Sequence, residues 1–343
     1  MQISNPIVSV IIPCYNADNW IAEAIDSCLQ QTYAPLEIII IDDGSTDDSV
    51  RIIRHYAAQF PEIISYETGT NRGGCAARNR GLALSKGEYV LFLDADDFLE
   101  PETVAGQVEI AAGRTNVVAA SPWWFIERRG DTWAKVDPPR PHAVDPIVAE
   151  LRLGDYIPVQ ALLWPRDLVL RLGQWDESLW ANQDGDLRLR ARLAGCEFVH
   201  SSLGGFVYRR HSINTVSGKQ TYRALESRLR VIEKVEMLLL NTGRLEQYKL
   251  DLACAFHRIA TSTMAQNEEL GQRALDHAIR LGGIRSVQGT IKHRLLCYTI
   301  GLKRKERLAR WLTKTPLSKL LGRSQMSGSL GRYANAKDSQ TRS

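Results

Sequence analysis

Over residues 1–100, short β-branched and apolar runs alternate with stretches of helical period, and that alternation constrains the fold more than any other feature. Val8-Ser9-Val10-Ile11-Ile12 ends at Pro13, and residues 18–31 then place Trp20, Ile21, Ala24, Ile25, Cys28 and Leu29 at helical spacing. Residues 36–41 are almost wholly apolar, as a strand buried on both faces would be. Residues 50–60 predict a helix, 63–66 a strand, 75–84 a helix and 89–93 a fourth strand. This order predicts an α/β fold, a mostly parallel central sheet flanked by helices. In open sheets of that kind, ligands bind beyond the carboxyl ends of the strands. Three polar clusters fall at such ends, at residues 13–16, 42–45 and 94–97, and together they predict one shared crevice.

Beyond residue 100 the pattern changes. Residues 117–126 and 132–136 predict two strands around the turn Arg128-Arg129-Gly130-Asp131, followed by a proline-rich loop at 137–141. Residues 147–153 and 166–172 read as helices flanking a strand near 159–164, and 184–194 as a helix with a polar start. Short strands are expected at 198–199 and 206–208, then helices over 221–241, 244–266, 268–280 and 303–314. Residues 324–343 have the polar, Ser- and Gly-rich composition of a disordered tail.

Charge divides the chain in the same place. Residues 1–219 hold 20 Lys and Arg against 29 Asp and Glu, a net of −9; residues 220–343 hold 23 against 10, a net of +13. Such asymmetry predicts two tasks, chemistry in the acidic part and a surface addressed by the basic part. In LKRKERLARWLTKTPLSKLL (302–321), Leu308, Trp311 and Leu312 share a face flanked by Lys303, Arg304, Arg307 and Lys314. The segment 300–323 suits an anionic membrane surface, or equally an ordinary solvated helix packed on its domain. No nucleic-acid-reading module accompanies the charge, so no nucleic acid is expected as a partner.

Six scattered cysteines without CxxC spacing read as buried thiols of a reducing compartment. The N-terminus lacks a basic stretch ahead of an apolar run, and no apolar stretch reaches the roughly 18 residues of a spanning helix. The expected location is the cytoplasm, with peripheral association on the inner face of the plasma membrane as its variant.

The motifs carry the chemistry. In Asp94-Ala95-Asp96-Asp97, a D-x-D just after a strand turns two acids into one crevice, where they can hold a divalent cation. The cation can in turn bridge a diphosphate. A helix cap is the alternative, and it suits Asp97, ahead of Pro101, better than Asp94 or Asp96. IDDGSTD (41–47) reads either as the acid pair of a phospho-acceptor or as a nucleoside-binding carboxylate before a tight turn. The phospho-acceptor reading leaves the 94–97 cluster unexplained. NRGGCAARN (71–79) is a glycine-containing approach to a helix, where backbone N–H groups and Arg72 or Arg78 can meet a phosphate. It is neither G-x-G-x-x-G nor G-x-x-x-x-G-K-[ST], which disfavours a dinucleotide dehydrogenase and a P-loop nucleoside triphosphatase.

In order and spacing, VSVIIPCYN (8–16), IDDGSTD (41–47), NRGGCAARNRGL (71–82), GEYVLFLDADD (87–97) and WDESLWANQDGDLRLRARLAG (175–195) resemble glycosyltransferase family 2, inverting enzymes with the GT-A fold. The resemblance spans about residues 6–215. It implies a GT-A domain over 1–219, with a nucleotide-sugar-binding half (1–100) and an acceptor-binding half (101–219). A basic helical C-terminal region (220–323) and the tail (324–343) would follow. It implies transfer of one sugar from a UDP-, GDP- or dTDP-linked donor to a glycan or glycolipid hydroxyl, with Mn²⁺ or Mg²⁺, in surface polysaccharide or lipopolysaccharide assembly. The Q-x-x-R-W element and membrane helices of the processive synthases are missing, so one sugar per encounter is expected.

Carried over by position, Pro13, Tyr15 and Asn16 line the nucleotide site, Asp43 binds the base and Arg78 lies beside the nucleotide. Asp94 and Asp96 match the D-x-D, with Asp96 the surer metal ligand and Asp94 also facing the nucleotide-sugar. Asp184 matches the general base, with Asp186 as its competitor. His211 is either a ligand of the metal or diphosphate, or a plain loop histidine. Trp123, Trp124, Trp164, Trp175 and Trp180 either stack on acceptor or pack in the core. The chain departs from the family at Gln183-Asp184, where Glu-Asp is common. That departure keeps a non-catalytic sugar-nucleotide-binding relative as the alternative reading. A nucleotidyltransferase is a third, without the glycine-rich basic N-terminal loop such enzymes use.

Overall fold

In the computed structural model, β1 (Val8–Cys14), β2 (Leu36–Asp42), β3 (Ile64–Thr68) and β4 (Tyr89–Phe92) pair in parallel. Helices α1 (Ile21–Leu29), α2 (Ser49–Gln59) and α3 (Gly74–Leu84) connect them. The structure describes residues 5–286 apart from 112, 131, 139–143, 211–220 and 265, together with residue 304. Strands β6 (Val117–Ala120), β9 (Leu162–Pro165) and β10 (Glu197–His200) complete a seven-stranded sheet ordered β10-β6-β9-β4-β1-β2-β3. β9 runs antiparallel to both neighbours, so the sheet is mostly rather than wholly parallel.

Both faces are covered, for a reason visible in β1. Successive side chains of a strand point to opposite faces. Val10 and Ile12 meet Ile21, Ala24 and Ile25 of α1 with Ile53 of α2. Ile11 meets Cys75 and Leu82 of α3, and its cluster includes Leu187 and Ala191 of α7 (Gln183–Leu193). α3 lies so close to β1 that a Cβ on Gly81 would stand 2.3 Å from the Ile11 side chain. Only glycine fits there.

A second sheet, β5-β11-β7-β8, is built from β5 (Phe98–Leu99), β11 (Phe206–Arg210), β7 (Trp123–Arg129) and β8 (Thr132–Val136). Residues 117–126, expected as one strand, are divided between the two sheets. Pro122 sits at the break and has no N–H to give a ladder. The Ser121 N–H reaches Ala161 beside the main sheet, while the Pro122 carbonyl accepts from Phe206 of the second. Helices α4 (Thr103–Ala111) and α6 (Arg166–Arg171) complete this part of the chain.

The chain divides into two compact units, Met1–His142 with Asp155–Gly218, and Ala143–Gly154 with Lys219–Ser343. The excursion around residue 150 was not legible as such in the sequence. There Asp145 caps α5 (Pro146–Val148) by accepting from the amides of Ile147 and Val148, and a π-helical turn, Ala149–Leu153, follows. The main elements among the other described residues of the second unit are helices: α8 (Tyr222–Asn241), α9 (Leu245–Thr263) and α10 (Glu268–Gly282). Arg258 of α9 donates to the carbonyls of Leu151 and Arg152, which a helix end leaves without internal partners. The expected helix at 303–314 and the tail at 324–343 lie outside the described residues, Arg304 excepted. Among the described residues no helix is long and apolar enough to cross a membrane. Cys14, Cys28, Cys75, Cys196 and Cys254 are not in disulfides, and burial pushes the Cys14 and Cys28 thiols up to about 12.

Candidate active site

The ends of β1 and β2 are tied together by side chains. Asp42 ends β2 and accepts from the amides of Gly44 at 3.3 Å and Ser45 at 3.2 Å, which folds the turn. Gly44 has φ +82°, and a Cβ there would lie 2.9 Å from the Asn71 nitrogen. Asn16 Oδ1 accepts from the Thr46 amide at 2.8 Å, and the Asn16 amide donates to Ser45 Oγ at 2.9 Å. Pro13 is half-buried within β1, and Tyr15 is 52% exposed. Asp43 is buried and accepts from the Arg72 amide at 2.8 Å and the Gly73 amide at 2.7 Å, one on each oxygen. Its carboxylate therefore fastens the loop that leads into α3. Asp43→Ala leaves both amides without that acceptor. The expected loss of stability is about 3 kcal/mol, taking two charge-assisted hydrogen bonds, and a melting curve reads it.

At the end of β4, carboxylate oxygens of Asp94, Asp96 and Asp97 lie within 4.8 Å of one another. Asp97 is 2% exposed and accepts from the Arg209 amide of β11 at 2.8 Å. The sequence reading of Asp97 as a helix cap is therefore corrected. β5 separates it from α4, and its side chain turns inward to the second sheet. Burial, then the charges of Asp96 and Asp94, push its pKa well above the usual carboxylate range. Burial likewise raises Asp94, against the lowering effect of Arg78. Crowded oxygen donors that are costly to ionise are what a hard divalent cation compensates, so the residues fit one.

Arg78, on α3, is buried against this cluster. Its Nη2 donates to Asp94 Oδ1 at 2.6 Å, its Nη1 to Gln183 Oε1 at 3.1 Å, and its guanidinium lies 4.7 Å from the Trp175 ring centre. Gln160 Nε2 donates to the other oxygen of Asp94. Asp184 stands half-buried in the first turn of α7, and its charge acts on both Arg78 and Asp94. Asp186, its competitor, is held by Arg190 Nε at 2.9 Å and Nη2 at 2.6 Å. Arg190 in turn donates to the Gln174 carbonyl at 2.7 Å, so Asp186 fastens α7 to the preceding loop.

Asp94, Gln183 and Asp184 thus act on one buried guanidinium, that of Arg78. Trp164 and Trp175 belong to the core. Trp123 packs on Tyr156 and Phe125 at ring distances of 5.4 and 5.1 Å, and Trp124 lies under Lys135. His211 lies outside the described residues. Gln160 was missed because it sits in no motif. The one sequence signal was a long polar amide inside the apolar run VQALLWP (159–165).

The sequence profile of the family described as Glycosyl transferase family 2 matches residues 9–165. An uncharacterized glycosyltransferase of Rickettsia typhi, RT0329, is 32% identical over 262 residues, covering 74% of this chain and 81% of that protein. Residues 1–349 of TarS from S. aureus, solved in complex with UDP, match with a TM-score of 0.64 at 20% identity, covering 90% of this chain and 91% of that one. The mannosyltransferase PcManGT from Pyrobaculum calidifontis, solved with GDP-Man and Mn²⁺, matches with a TM-score of 0.51 at 20% identity, covering 90% and 84%. At these identities the two structures speak to the fold.

Proposed function

The chain belongs to glycosyl transferase family 2, and from that premise we propose that it moves one sugar from a nucleoside-diphosphate sugar to an acceptor hydroxyl with inversion. The observation that carries this reading is the cluster of Asp94, Asp96 and Asp97 with Asp184 acting on the same guanidinium, Arg78. Asp96, with its acidic neighbours, is the proposed seat of Mn²⁺ or Mg²⁺, and His211 a further candidate ligand. A cation bound there supplies positive charge to the departing diphosphate. Pro13, Tyr15, Asn16 and Asp43 border the nucleotide, and Asp94 and Arg78 face the sugar diphosphate.

Asp184 accepts the proton of the acceptor hydroxyl. That oxygen bonds to the anomeric carbon as the bond to the diphosphate breaks on the opposite face, which inverts the configuration. The acceptor is a glycan or glycolipid of surface polysaccharide or lipopolysaccharide assembly. Residues 300–323 are the proposed contact with an anionic membrane surface, on the cytoplasmic side.

A donor panel tests the reading. UDP-, GDP- and dTDP-sugars are incubated with the protein in Mn²⁺ or in EDTA, and released nucleoside diphosphate is measured. Release from one donor, lost in EDTA and in Asp96→Ala, is the expected result. Failure of every donor to bind in Mn²⁺ would overturn it.

A further inference from the structure

Two neutral amides close on the Arg78–Asp94 ion pair from opposite ends. Gln183 Oε1 accepts from Arg78 Nη1 at 3.1 Å, and Gln183 Nε2 donates to the Leu179 carbonyl at 3.0 Å, which fixes the amide's orientation. Gln160 is 3% exposed, in a helical turn (Val159–Ala161) that leads into β9, the strand beside β4. Its Nε2 donates to Asp94 Oδ2, while its own Oε1 is buried without a hydrogen-bond partner. A buried carbonyl left unsatisfied costs stability, so its persistence marks the Asp94 contact as the one that matters.

We propose that Gln160 and Gln183 are positioning residues that hold Asp94 on Arg78 and away from the cation, which is left to Asp96 and the other ligands proposed above. This rests on the metal-dependent reading above and deepens it. Each oxygen of Asp94 already accepts one charge-assisted or amide hydrogen bond, on the sides where Arg78 and Gln160 approach. The neutrality of residue 183 belongs to the device. A glutamate there would draw the guanidinium toward a second carboxylate and release Asp94 Oδ1 to its acidic neighbours.

The consequence has an unusual sign. Gln160→Leu removes the donor, keeps most of the volume, and frees an oxygen of Asp94 to join Asp96. Gln183→Glu frees the other oxygen from Arg78. Titration with Mn²⁺ alone, followed by the electron paramagnetic resonance of free Mn²⁺, is expected to show binding about three- to tenfold tighter in each variant, as an added oxygen ligand gives. In an Asp94→Asn background neither substitution should change the affinity, because the freed ligand is gone.

Unchanged or weaker Mn²⁺ binding in both single variants would overturn the proposal, as would tightening that persists in the Asp94→Asn background. A merely structural role for either amide would lower the melting temperature without tightening Mn²⁺. Wild-type protein that binds no Mn²⁺, with or without UDP or GDP, would overturn both this inference and the metal-dependent reading. The stated Mn²⁺ shifts in a protein that turns over no donor would count against glycosyl transfer alone.

Discussion

Asp184→Asn is expected to slow transfer about 10²–10⁴-fold while nucleotide affinity stays within about threefold, the range that removal of a general base gives. Asparagine keeps the shape and position of the side chain in the first turn of α7 and cannot take a proton. Neither Asp186 nor Asp94 stands ready to replace it. Asp186 is bonded twice to Arg190 and is buried, and Asp94 is bonded to Arg78 and Gln160. Nucleotide affinity should survive because the groups proposed to hold the donor stand on other elements, at the ends of β1, β2 and β4 and on α3. Initial rates with acceptor, set beside calorimetric binding of UDP or GDP in Mn²⁺, separate the two effects. Equal loss of both would place Asp184 in the donor site and leave the base unassigned.

The division of labour between Asp184 and Asp186 also shows how far the sequence could be read. The alternation of strand and helix over residues 1–100 placed Asp43 and Asp94 at strand ends, and the helical period of 184–194 placed Asp184 at a helix start, because apolar runs and helical periods are local signals. Hydrogen bonds that join distant segments leave no such trace. Gln160 meets Asp94 across 66 positions and Arg78 meets Gln183 across 105. Asp97 meets the Arg209 amide across 112, and nothing in the neighbourhood of DADD distinguishes that from a cap. The break at Pro122 was visible as a proline but not as a change of sheet. The π-helical turn at Ala149–Leu153 read as a helix, and its place in the second unit depends on Arg258, far along the chain. Local pattern therefore located the strand and helix ends that carry these acids, whereas long-range pairing decides what each acid is free to do.

That pairing gives the second large effect. Arg78→Met should destabilise the protein by about 3 kcal/mol, the low end for breaking a buried pair, because one partner keeps some solvent. The Arg78 side chain is 8% exposed and that of Asp94 29%. Methionine fills much of the volume and can rest on Trp175, so lost packing is a minor part of the expected change. The major part is electrostatic. Without the guanidinium, Asp94 must either carry an unpaired charge beside Asp96 and Asp97 or take up a proton, since the Gln160 amide is a weaker partner than the ion it replaces.

At about 2–4 °C per kcal/mol for a unit the size of Met1–His142 with Asp155–Gly218, the melting temperature of that unit should fall by about 6–12 °C. Two additions should recover more than half of that loss, each by a different route. Asp94→Asn in the same chain removes the uncompensated charge, and Mn²⁺ at millimolar concentration neutralises it. If the double variant melts no higher than Arg78→Met, then Arg78 stabilises the fold through packing on Trp175. In that case the acids at the end of β4 are stable without it. Recovery by Asp94→Asn and by Mn²⁺ alike would show that the crowding of three carboxylates at a strand end is tolerated because a fixed cation stands on one side of them and an exchangeable one on the other.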